Sequence, residues 1–231
     1  MLAAVGGLLA AAPAHAAQAQ RPVTVLATGD SMIQLVDTAL RKRLAPQGVR
    51  VPSDARISTG ISKPRLLDWQ RLAREQARRW RPRATVMFLG ANDGFNMRTA
   101  RGRLAICCGK AWRVEYARRA RRMMRAYARH RAGYVYWLLL PQAREGFFTR
   151  SFPAVNAALR RAARALPRRV RLVHLNRVFT PRGRFRDYMR RNGRRVRVRQ
   201  RDGIHLSAEG AAIAASLVVR RMRADGVLRR G

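Results

Sequence analysis

The sequence predicts an α/β fold built on a parallel sheet, and three observations lead there. Short apolar runs recur without alternation, as in strands buried on both faces. Longer segments with apolar residues at helical spacing separate them, and several runs stop at a glycine or a proline. Strands alternating with helices imply right-handed βαβ crossovers, and such sheets form their sites at the carboxyl ends of the strands. With 231 residues and 48% hydrophobic content, the chain can bury the core of one domain.

The elements follow in order. Val23, Val25, Leu26 and Ala27 form a first strand, Gly29-Asp30 a tight turn, and residues 32–44 a helix with an apolar stripe. "VRVPSDARIS" offers a second strand ending near Ser58, with a turn at Thr59-Gly60 and a helix over 64–79. "ATVMFLG" is a third strand of the doubly buried kind, followed by a loop and a helix over 112–131. "AGYVYWLLLP" is the fourth strand, stopped by its proline, and a helix over 152–166 leads to the fifth, "RVRLVHL". Residues 184–200 form a basic excursion with a turn at Asn192-Gly193, expected as a short helix and one strand. A helix over 207–224 closes the chain.

The opening segment, "MLAAVGGLLAAAPAHAAQAQ", is apolar, rich in alanine and ends in small residues. It reads as a signal peptide over 1–19 before a single domain over 20–231, because a spanning helix needs roughly 20 apolar residues. The expected location is outside the cytoplasm: secreted, periplasmic or bound to the cell wall. The formal net charge is +38, and Lys42, Lys63 and Lys110 are the only lysines. The arginines spread over every expected helix and no aromatic-basic RNA-binding signature accompanies them, so an anionic cell-wall polymer fits better than specific nucleic acid. Cys107 and Cys108 are adjacent, which leaves a strained vicinal disulfide, two free thiols or a link to another chain. Without CxxC or HExxH, neither a metal nor another cofactor is expected.

Four segments meet at the predicted carboxyl edge, and each carries a residue type that acyl transfer needs. Ser31 follows the first strand, where the N-cap of a helix is its bland role and nucleophilic attack its chemical one. A serine hydroxyl needs a base, and Asp202 and His205 lie three apart in "RDGIHLSAEG", a spacing at which the carboxylate can fix the imidazole tautomer. The oxyanion formed on attack needs donors, which the N–H groups of Ser31 and Gly60 and the amide of Asn92 would supply. Arg144, in the loop after the fourth strand, is a candidate for binding a substrate anion. Asp30 and Asp93 are expected to bond local backbone, and Trp112, Tyr116, Met123 and Met124 to pack in the core.

In order, "GDS" at 29–31, the isolated Gly60, "GAND" at 90–93 and "DGIH" at 202–205 resemble the four blocks of the SGNH (GDSL-type) hydrolases, and particularly the secreted bacterial branch. The resemblance implies a three-layer α/β/α sandwich of flavodoxin-like type with a five-stranded parallel sheet. It also implies serine-dependent ester hydrolysis, with Ser31, Gly60, Asn92 and His205 as the named residues and Asp202 as the acid. The leading expectation is a serine esterase acting on carboxylic, chiefly acetyl, esters of cell-wall or extracellular glycans. An O-acyltransferase using the same triad and a non-catalytic polyanion-binding module are the alternatives.

Overall fold

A computed structural model describes residues 22–229; the expected signal peptide lies outside the described residues. The three central apolar runs form strands bonded on both sides. β1 (Val25–Gly29) and β3 (Ala84–Phe88) are buried at every position, and β6 (Tyr134–Leu138) at all but its first. With β2 (Ser53–Ala55) and β7 (Val170–Val173) they make a five-stranded parallel sheet in the order β2-β1-β3-β6-β7. This is the α/β architecture expected.

The long helices are α1 (Val36–Leu44), α2 (Trp69–Trp80), α3 (Lys110–Ala128), α4 (Phe148–Ala163) and α6 (Ala208–Ala224); α5 (Leu175–Phe179) is short. α1 packs on α6, and α3 lies between α2 and α4, so two helical layers cover the sheet. Trp112, Tyr116, Met123 and Met124 are completely buried on α3, as the spacing predicted. Among the described residues no helix is long and apolar enough to cross a membrane. Val23, Val49, Val227 and Leu228 line one small cleft, so the two described ends lie together at the amino-terminal edge of the sheet.

The register levels the ends of the central strands, with Gly29 opposite Phe88 on one side and Ala55 on the other. A Cβ on Gly29 would lie 2.0 Å from the Phe88 carbonyl oxygen, so glycine is what lets β1 finish this close to β3.

Several elements depart from expectation. The second helix starts at Trp69 and not at residue 64, where Asp68 caps it by accepting from the N–H groups of Gln70 and Arg71. α4 begins four residues before the expected start and carries Pro153 inside it, although proline reads in a sequence as a first-turn residue. Residues 184–200 hold no helix but a hairpin, β8 (Tyr188–Arg191) and β9 (Arg194–Arg197), turning at Asn192-Gly193. Asn-Gly suits a two-residue hairpin turn, a stronger signal than helical propensity. A second small hairpin, β4 (Met97–Arg98) and β5 (Leu104–Ala105), lies in the loop after β3.

Candidate active site

The segment after β1 is not the continuous helix expected over 32–44. Ser31 opens a single 3-10 turn, Ser31–Ile33, and α1 starts only after Leu35, whose φ is 63°. The cap of that turn is Asp30, whose Oδ1 accepts from the Met32 N–H at 3.0 Å. Its Oδ2 accepts from the N–H groups of Gly90 and Ala91, each at 2.9 Å, and locks the serine turn to the loop after β3. Burial pushes the Asp30 carboxyl up to about 6 against the pull of these donors. With Asp30 as cap, the Ser31 hydroxyl is free for another partner.

That partner is His205. Its Nε2 lies 2.8 Å from Ser31 Oγ, and its Nδ1 lies 2.6 Å from Asp202 Oδ2. The two oxygens of Asp202 divide their work: Oδ1 accepts from the N–H groups of Ile204 (2.8 Å) and His205 (3.0 Å), while Oδ2 faces the imidazole. Burial raises the Asp202 carboxyl, but these hydrogen bonds outweigh it and hold the group below its usual range. An ionised Asp202 favours the tautomer with its proton on Nδ1, leaving Nε2 to accept from the serine hydroxyl.

Gly60 and Asn92 sit in neighbouring loops joined by Asp93. The Asp93 carboxylate accepts from the Ser62 N–H (2.6 Å), the Ser62 hydroxyl (2.7 Å) and the Tyr116 hydroxyl (2.6 Å). These partners lie outside its own loop, contrary to the local bonding expected, and burial pushes its pKa up. A Cβ at Gly60 would come within 2.6 Å of Asp93 Oδ1, so glycine is required where the two loops touch. The Asn92 Nδ2 is buried and has no hydrogen-bond partner. A buried unpaired donor is costly and uncommon, and at a site it marks a group held ready for something else. Among the described residues, no backbone carbonyl accepts from the N–H of Ser31 or Gly60.

Arg144, expected to face a substrate anion, is engaged within the protein. Its Nη2 pairs with Asp187 at 2.7 Å and its Nη1 donates to the Arg201 carbonyl at 2.9 Å, which braces the loop carrying Asp202. A residue that sequence reasoning missed lies beneath it. Arg199 is fully buried and donates through Nη2 to the carbonyls of Gly203 and Ile204, both at 2.9 Å, while its Nε and Nη1 have no partner. Burial lowers its pKa to about 10, and the nearby Asp202 and Asp187 carboxylates oppose the fall. Arg119, paired with the buried Glu115 at 2.8 Å, donates likewise to the Ile61 carbonyl beside Gly60.

Beyond Gly60 and Asn92 a groove of about 600 Å³ runs between Lys63, Leu66, Phe95, Met97 and Leu104. On the same side Cys107 and Cys108 form a vicinal disulfide, which resolves the three alternatives the sequence left open.

A family model described as "Protein of unknown function (DUF459)" matches residues 24–221. No curated protein matches the chain. Three solved structures are similar in fold. A Slackia heliotrinireducens protein provisionally described as an SGNH hydrolase is 16% identical with a TM-score of 0.59, over 87% of this chain and 99% of that one. A family two carbohydrate esterase from Clostridium thermocellum, in complex with cellohexaose, is 14% identical with a TM-score of 0.57, over 96% and 68%. The C-terminal catalytic domain of Streptococcus pneumoniae peptidoglycan O-acetyltransferase A, carrying a methylsulfonyl adduct, is 12% identical with a TM-score of 0.55, over 89% and 95%.

Proposed function

The chain belongs to the family described as protein of unknown function DUF459 and has the fold of the SGNH hydrolases, and from that premise we propose that it is a serine esterase acting on acetyl esters of a glycan. The observation that carries the proposal is the hydrogen-bonded run from Ser31 through His205 to Asp202, with the unpaired Asn92 amide in the loop that touches Gly60.

In this reading the Ser31 hydroxyl gives its proton to His205 Nε2 as Oγ attacks the ester carbonyl. The oxyanion accepts from Asn92 Nδ2 and from the N–H groups of Ser31 and Gly60. Collapse expels the alcohol, which takes its proton from His205; water then attacks the acyl-enzyme by the same route in reverse. Asp202 keeps the imidazole oriented and stabilises its charged form. The groove beside Gly60 and Asn92 receives the part of the substrate beyond the ester. The glycan assignment draws on the peptidoglycan and carbohydrate activities named for two of the similar structures. A location outside the cytoplasm belongs to the same proposal and rests on the N-terminal segment.

The test is hydrolysis of p-nitrophenyl acetate and a longer-chain homologue by the purified protein beside Ser31→Ala. Acetate-selective turnover that disappears in the variant supports the proposal; equal rates in both proteins refute Ser31 as nucleophile. The O-acetyltransferase among the similar structures favours a second reading, in which a sugar hydroxyl replaces water in the last step. Competition between water and an added acceptor separates the two.

A further inference from the structure

Ten of the twenty residues from Arg182 to Arg201 are arginines, and this segment runs directly into the loop of Asp202 and His205. Its hairpin is two-sided in a way that the period-two pattern of a strand explains. Met189 and Val196 are cross-strand partners, half-buried and packed against the core. The opposite face carries Tyr188, Arg190, Arg195 and Arg197, in which Tyr188 pairs with Arg197 and Arg190 with Arg195. Among the described residues, none of Arg190, Arg191, Arg194 and Arg195 is ion-paired, and all four are exposed. The Arg195 guanidinium lies over the Tyr188 ring at 4.1 Å, so one arginine is held flat against an aromatic surface.

The base of the hairpin is fixed to the site. Asp187, just before β8, pairs with Arg144, which donates to the Arg201 carbonyl, and the Val198 N–H donates to the Asp187 carbonyl. The Ser207 hydroxyl donates to the Arg197 carbonyl. The ribbon therefore keeps a set position relative to His205.

We propose that the outer face of this hairpin is a docking strip for an anionic polysaccharide, holding the polymer while one of its acetyl groups reaches Ser31. The inference rests on the reading of Ser31 as an esterase nucleophile. Side chains on one strand face repeat at roughly 6.6 Å, and a linear polymer with a charge on each sugar meets such a strip with several carboxylates at once. A polysaccharide suits the strip better than a nucleic acid because it carries the carboxylic esters that the adjoining site would cleave.

The experiment compares wild type, a hairpin variant with Arg190, Arg195 and Arg197 changed to Gln, and a control variant with Arg74, Arg78 and Arg125 changed to Gln. The control residues line a cleft between α2 and α3, away from the hairpin. The substrates are p-nitrophenyl acetate, O-acetylated polygalacturonate and a neutral O-acetylated xylan. On the anionic polymer alone, the hairpin variant is expected to show a KM about tenfold higher, and added salt is expected to bring wild type toward it. Equal kinetics of wild type and hairpin variant on acetylated polygalacturonate overturn the proposal, as does an equal loss in the control variant. Tighter binding of single-stranded RNA or anionic lipid vesicles than of polygalacturonate to the hairpin also overturns it. If wild type cleaves no ester, p-nitrophenyl acetate included, the esterase reading fails; binding of unesterified polygalacturonate to the three proteins then tests the hairpin separately.

Discussion

Asn92→Ala is expected to move activity and stability in different directions. The Nδ2 of Asn92 is buried and makes no hydrogen bond, so the folded protein bears a desolvation cost of about 1–3 kcal/mol for it. Alanine removes that donor, and the main structural link in this loop, from Asp93 to Ser62 and Tyr116, stays in place. Stability should therefore hold or rise by about 1 kcal/mol, the relief being offset by lost packing. Loss of one donor to a developing oxyanion lowers kcat by about 10²–10³, with KM little changed. Steady-state hydrolysis of p-nitrophenyl acetate gives the first quantity and urea unfolding followed by tryptophan fluorescence the second. A kcat within about fivefold of wild type would show that the amide serves no oxyanion. A stability loss above about 2 kcal/mol would show that it is structural after all.

Gly60→Ala brings a Cβ within 2.6 Å of Asp93 Oδ1, which two Ser62 donors hold while Tyr116 holds Oδ2, so the carboxylate has little room to retreat. Overpacking of this kind costs about 1–3 kcal/mol, and thermal melting together with a reduced kcat checks it. Asp30 holds its proton up to about pH 6 in the folded protein, against an ordinary value of 3.8. As pH rises through this interval the unfolded chain releases the proton first, so this group lowers stability by up to about 3 kcal/mol and adds no further slope above pH 6. Urea unfolding at several pH values should show the difference between wild type and Asp30→Asn falling between pH 4 and 6; a flat difference contradicts the assignment. Arg199→Met leaves the Gly203 and Ile204 carbonyls without their donor. It should lower kcat about tenfold by loosening the His205 loop, with KM little changed. An unchanged kcat would reduce Arg199 to a packing role.

Much of this was legible in the sequence, for physical reasons that differ by element. "ATVMFLG" and "AGYVYWLLLP" announced β3 and β6 because a strand buried on both faces has no polar positions. Ser207 announced the start of α6, since its side chain accepts from the Gly210 N–H. Ser31, Asp202 and His205 were found by order and spacing, and the fold brings them within hydrogen-bond distance. What escaped were interactions whose partners are remote in sequence. Asp30 reads as a turn residue until Gly90 and Ala91, sixty positions on, supply its donors. Arg199 looks like one more arginine in a basic run, because Val196 and Val198 suggest an alternation that would point it outward. The strand ends at Arg197, and the chain turns the next arginine into the core.

The meeting of the described ends beside Val23 and Val227 gives the molecule a handle. β1 separates that handle from Ser31 by the length of its five residues, about 16 Å of extended chain. Attached to a bead, a fusion partner or any other surface beside Val23 or Val227, the protein presents Ser31, His205 and the arginine hairpin on its far side. Lengthening the tether should then leave turnover of a small ester unchanged, because the orientation is set by the sheet and not by slack in the linker.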